Sequence, residues 1–160
     1  MFTEWQMENP PNREVEKEPP KAPSKPLRTL IVDDSAHWRQ FVHSRLQHYA
    51  NKLQFVGEAG DGVEAVERAR SLKPDLILLD VGLPHLDGRE AAMQILRVLP
   101  HAVIIFLTMN QQPAMVQSAL NTGANGYVLK TDVAKELWPA IQAARQGTQF
   151  VSSGLRSAGR

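Results

Sequence analysis

The 160-residue sequence has no cysteine, which excludes a disulfide framework, a thiolate metal site and a cysteine nucleophile. It has no apolar run near the ~20 residues that a membrane-spanning helix needs. Its opening residues, MFTEWQMENPPNREVEKEPP, lack the positive-then-apolar order of a secretory signal. A cytoplasmic chain with no membrane partner is therefore the expectation. An excess of one charge is missing too: 18 Lys and Arg against 17 Asp and Glu leave a formal net charge of +1. That balance gives no general attraction to nucleic acid or acidic lipid. Internal sequence repeats are absent. What remains is ordinary for one globular domain, with 42% hydrophobic residues to build a core.

Residues 1–26 hold six of the eleven prolines and mix both charges. Proline removes backbone donors and breaks helices, and such a segment offers little to bury, so a disordered, charged arm is expected there. From Leu27 the pattern changes. Five apolar runs begin at Thr29, Leu53, Leu76, Val103 and Gly126, spaced 24, 23, 27 and 23 residues apart. Helical patterns fill the gaps. Trp38, Val42, Leu46 and Tyr49 form one apolar stripe; Ala91, Ile95 and Leu99 form a second; Leu137, Ile141 and Ala144 form a third. Ser35, Asp61 and Asp87 stand where helix caps belong, and Asp61/Glu64 and Asp87/Glu90 have capping-box spacing. Gly147 is placed to end the last helix. Alternating strands and helices with continuously apolar strands predict an α/β fold, a parallel sheet covered by helices on both faces. The domain is expected over 27–148, with 149–160 as a short polar tail.

Ligands of such sheets sit beyond the carboxyl ends of the strands. Asp33 and Asp34 end the first run, Asp80 the third, Thr108 the fourth and Lys130 the fifth. Each has an ordinary explanation on its own: a cap, a loop aspartate, a β-branched strand end, a solvated lysine. Their joint placement at one edge is what carries weight. Three clustered carboxylates repel one another unless a cation lies among them, and hard oxygen donors suit Mg²⁺. A carboxylate can also act as a nucleophile and accept a phosphoryl group, whose oxygens a metal, a lysine and a hydroxyl would then neutralise.

The segments IVDDS, LILLDVGLPHLDG, IIFLT and NGYVLK resemble the motifs of the receiver domain of two-component response regulators. The resemblance covers about residues 27–148. It implies a doubly wound, flavodoxin-like fold with five parallel strands in the order 2-1-3-4-5. It makes Asp80 the phosphoacceptor, with Asp34, Asp80 and the backbone carbonyl of Gly82 holding Mg²⁺ and Asp33 supporting the ion through water. Thr108 becomes the switch hydroxyl, Lys130 the phosphoryl-binding lysine and Tyr127 the aromatic that turns inward when the hydroxyl moves. The implied partner is a sensor histidine kinase or phosphotransfer protein, with a homodimer or a downstream protein as the output. The wording DVGLPHLDGREAAMQIL and ELWPAIQAARQGTQFVSSGL is similar to receivers of the NarL/FixJ (LuxR-type) subfamily. Their helix-turn-helix domain needs roughly 60 further residues, against the 13 that follow Gly147. The expectation is a receiver that acts through partners, with no direct nucleic-acid binding by this chain, or one whose output domain was lost or trimmed.

Three positions depart from the family pattern. Met109 stands where a small residue is usual, and a long thioether there would hinder access to the phosphoryl group. Gly82 contributes no side chain. Thr131 replaces the usual proline after Lys130, so a trans peptide is expected. Two other function classes fit these residues less well. A Mg²⁺-dependent phosphohydrolase would place a second aspartate two residues after its nucleophile, where this chain has Gly82. A phosphorylation-independent dimerisation module would have no need of the acids, the threonine and the lysine together.

Overall fold

The computed structural model describes residues 25–156. All but the last two residues of the expected arm lie outside the described residues. Strands and helices alternate: β1 (Leu27–Val32), α1 (Ala36–Leu46), β2 (Leu53–Ala59), α2 (Gly62–Leu72), β3 (Leu76–Leu79), α3 (Gly88–Val98), β4 (Val103–Thr108), α4 (Pro113–Leu120), β5 (Gly126–Leu129) and α5 (Val133–Arg145). Two short elements follow, β6 (Phe150–Val151) and α6 (Ser153–Arg156). All strand pairs are parallel, and the sheet order is 2-1-3-4-5-6.

The five expected strands and their order are present. The sheet has six strands rather than five, because Phe150 and Val151 pair with Gly126 and Tyr127. The signal was weak: two partly buried apolar residues in a polar stretch do not read as a strand. They pair because Phe150 N–H donates to the Asn125 carbonyl at 3.0 Å and Ser152 N–H to the Tyr127 carbonyl at 2.9 Å. Ser152 is also buried, and its Oγ accepts from Leu129 N–H at 2.9 Å.

Two apolar clusters lie on the two faces of the sheet. One gathers Val66 and Ala69 of α2, Ala91 and Ile95 of α3 and Ala119 of α4 against Leu30, Ile77, Leu79, Ile104 and Phe106. The other gathers Val42 and Leu46 of α1 with Leu137 and Ile141 of α5 against Ile31, Leu76, Leu78, Ile105 and Val128. The alternation within each strand divides its side chains between the faces, which is why β3 and β5 are buried throughout. Trp138 packs as well as being partly exposed, its ring stacking on Tyr49 at 3.9 Å.

Helix starts follow the cap residues. Ser35 Oγ accepts from Trp38 N–H at 3.2 Å and Asp61 Oδ1 from Glu64 N–H at 2.7 Å. Glu64 closes its box one residue early, accepting from Gly60 N–H. Asp87 caps α3 by accepting from Arg89 N–H at 2.8 Å. The turn at Gly147, with φ +81°, ends α5. All described peptide bonds are trans, that between Lys130 and Thr131 included.

Candidate functional site

Parallel register brings the carboxyl ends of β1 and β3 side by side, with Val32 opposite Leu79. The next residues, Asp33 and Asp80, therefore emerge as neighbours, and Asp80 N–H donates to the Val32 carbonyl at 3.1 Å. Asp33, Asp34 and Asp80 each offer a carboxylate oxygen within 4.8 Å of the others. Asp33 is 1% exposed and Asp80 9%, whereas Asp34 faces solvent. The three acids expected at one edge lie together there, two of them buried and one reachable from outside.

Lys130, at the end of β5, crosses over β4 to reach the acids. Its Nζ lies 2.7 Å from Asp33 Oδ2 and 3.1 Å from Asp80 Oδ2. Burial disfavours its charge, but the Asp33 and Asp80 carboxylates outweigh that, and the Lys130 pKa is raised. One ammonium against three carboxylates still leaves a surplus of negative charge. Asp33 Oδ1 accepts from Ser35 N–H at 2.8 Å, while the buried Oδ2 meets the Lys130 ammonium. An all-oxygen donor set with surplus negative charge fits a hard divalent cation such as Mg²⁺.

The loop after β3 is held tightly. Gly82 N–H donates to Asp80 Oδ1 at 3.4 Å, and a Cβ at Gly82 would meet nothing within 4 Å. Gly88, at the start of α3, approaches so closely that a Cβ there would lie 2.0 Å from the Asp80 carbonyl oxygen. That glycine lets the helix start beneath the acid. His85 projects into solvent and meets Asp61 at 3.1 Å rather than any of the three acids.

Thr108 ends β4 and is buried; its Oγ1 accepts from Asn110 N–H at 3.2 Å. Tyr127 is fully buried and points inward, its hydroxyl donating to the Asn110 carbonyl at 2.7 Å. Burial pushes its pKa up to about 12; the Asp80 charge adds to the rise, while contact with Thr108 and the charge of Arg89 oppose it. The phenol is thus kept neutral and able to donate. Met109 is 62% exposed, the most exposed of the large apolar side chains among the described residues.

Two contributors were missed in the sequence. Trp38 reads as part of an apolar stripe, yet its ring centroid lies 5.0 Å from Lys130 Nζ. Its place in the first turn of α1, four residues after Asp34, was the available signal. Arg89 links α3 to α4, with Nε 2.9 Å from Asp87 Oδ1 and Nη1 2.9 Å from Ser118 Oγ. Nothing in the spacing of Arg89 and Ser118 announces that contact.

Residues 29–142 match the response regulator receiver domain family. The response regulator protein VraR of Staphylococcus aureus is 36% identical over 121 residues, which are 76% of this chain and 57% of VraR. The chain thus spans little more than half the length of that relative. A LuxR-family two-component response regulator from Aurantimonas sp. SI85-9A1 is similar in structure, with a TM-score of 0.76 and 32% identity over 82% of this chain and 94% of that one. The isolated receiver domain of RcsB from Salmonella enterica serovar Typhimurium, determined with the phosphomimetic BeF3-, gives the same TM-score at 25% identity, covering 82% and 97%. The acidic edge, the lysine that reaches it and the parallel sheet that builds both place this chain in the response regulator receiver domain family of two-component signalling.

Proposed function

We propose that the chain is a phosphorylation-controlled switch whose Asp80 accepts a phosphoryl group from the phosphohistidine of a sensor kinase or phosphotransfer protein. The observation that carries this reading is the grouping of Asp33, Asp34, Asp80 and Lys130 at one edge. A carboxylate oxygen of Asp80 attacks phosphorus, the phosphorus–nitrogen bond breaks, and the electron pair leaves with the imidazole. On this reading Asp34, Asp80 and the Gly82 carbonyl would hold Mg²⁺, with Asp33 supporting through water. The ion would supply positive charge for the phosphoryl oxygens.

Lys130 neutralises a second side of the phosphoryl group, since its ammonium already lies 3.1 Å from Asp80. The Thr108 hydroxyl donates to a phosphoryl oxygen in exchange for its local contacts. Because Tyr127 and Thr108 both bond the Asn110 backbone, a shift of the hydroxyl changes what holds the β4–α4 loop and so the α4–β5–α5 face. A switch of this kind needs contacts that differ between its two states. The output is then a protein contact, by homodimerisation or with a downstream partner, in the cytoplasm where such kinases present their phosphohistidine. Receiver domains are phosphoacceptors rather than enzymes that turn over an external substrate, and Gly82 supplies no acid or base side chain for hydrolysis.

Incubation with a small acyl phosphate and Mg²⁺, read by intact mass, tests the reading. Wild type gains one phosphoryl group and Asp80→Asn gains none. Equal incorporation in both, or none in wild type, overturns it.

A further inference from the structure

Lys130 sits between two unlike neighbours. On one side are the Asp33 and Asp80 carboxylates; on the other is the indole of Trp38, whose centroid is 5.0 Å from the ammonium nitrogen. Trp38 is itself fixed from two directions. Its backbone N–H donates to Ser35 Oγ at 3.2 Å, and Ser35 N–H donates in turn to Asp33 Oδ1 at 2.8 Å. Its ring lies against Phe41, with centroids 5.1 Å apart. The contacts run from Asp33 through Ser35 and Trp38 to Lys130 and back to Asp33.

We infer that Trp38 is a positioning residue for Lys130, holding the ammonium over Asp80 by attraction to the face of the indole. This rests on the phosphoacceptor reading above. Lysine is a point charge on a flexible four-carbon stem, and three carboxylates alone would draw it toward whichever lies nearest. A further acid behind it would hold it more firmly but would add negative charge where a phosphoryl group must come. An aromatic face attracts the cation without formal charge and without a preferred bond direction. The ammonium can therefore slide from Asp33 toward a phosphoryl oxygen while staying over the ring.

The test separates this role from plain packing. Trp38→Leu keeps an apolar side chain but removes the π face, and Trp38→Phe keeps a smaller face. Phosphorylation of Asp80 by an acyl phosphate is expected to be about three- to tenfold slower in Trp38→Leu and restored for the most part in Trp38→Phe. A second readout is Trp38 emission, isolated in a chain carrying Trp5→Phe and Trp138→Phe. There Lys130→Gln is expected to change the emission without Mg²⁺ or phosphodonor. A wild-type rate in Trp38→Leu, a Phe variant as slow as the Leu variant, or emission indifferent to Lys130→Gln would each overturn the inference. If wild type takes up no phosphoryl group, the phosphoacceptor reading has failed. The emission measurement still decides the contact, and indifference to Lys130→Gln then overturns it.

Discussion

Asp33 and Ser152 are both buried polar side chains beside the same sheet, and the fold treats them in opposite ways. Ser152, at the β5–β6 edge, has its Oγ bonded by Leu129 N–H and its own N–H bonded to the Tyr127 carbonyl. Asp33, at the carboxyl edge of β1, has one oxygen bonded by Ser35 and the other left to an ion pair among three acids. Burying polar groups costs little when they are paired and much when they are not. The first edge is therefore built for stability. The second keeps a surplus of negative charge that a divalent cation would offset.

Damage to the two edges should differ in kind. The largest effect is expected from Gly88→Ala, because the new Cβ would lie 2.0 Å from the Asp80 carbonyl oxygen and 2.9 Å from Val81 Cα. Backbone atoms cannot rotate away, so overpacking should cost about 3 kcal/mol and displace Asp80 as well. Urea unfolding and phosphoryl incorporation should both suffer. Ser152→Ala should cost about 1–3 kcal/mol in the urea midpoint by leaving the Leu129 N–H unpaired. Incorporation at Asp80 should be unchanged, and a loss there would blur the distinction between the edges.

Alkaline titration probes Tyr127, on β5 between them. Tyr127 has a folded pKa raised from 10.0 to about 12. The folded state holds the phenolic proton more tightly than the unfolded chain, so stability should be intact below pH 10 and fall as the pH rises toward 12. Lys130, raised above 10.5, acts in the same direction. Tyr127→Phe should flatten that decline, measured as the urea midpoint against pH; an equal slope in the variant would refute the assignment. The smallest effect is expected at Met109, which is mostly exposed beside Thr108. If its thioether restricts water, Met109→Ala shortens the phosphoryl lifetime a few-fold, read by intact mass over time.

Five of the six strands were legible because each is a continuous apolar run, as parallel strands covered on both faces are; their order followed from the resemblance of the motifs to receiver domains. The acids, Thr108 and Lys130 were legible because each directly ends or follows a strand, so the fold alone gathers them. Contacts between side chains from separate elements were not. Trp38 has the same spacing as the core residues Val42 and Leu46, and only the tertiary arrangement turns its ring toward Lys130. The pair Phe150 and Val151 is too short for alternation to declare a strand; β6 forms because the edge of β5 offers backbone partners.

That the carboxyl edge is a charge-imbalanced site completed by a cation is open to direct measurement. Urea unfolding with magnesium chloride, against sodium chloride at equal ionic strength, tests it most directly. Magnesium at one hundred times its dissociation constant should stabilise wild type by ~2.7 kcal/mol, and Asp34→Asn should lose most of that gain. An unmoved midpoint in wild type, or an equal gain in Asp34→Asn, would rule that cation out.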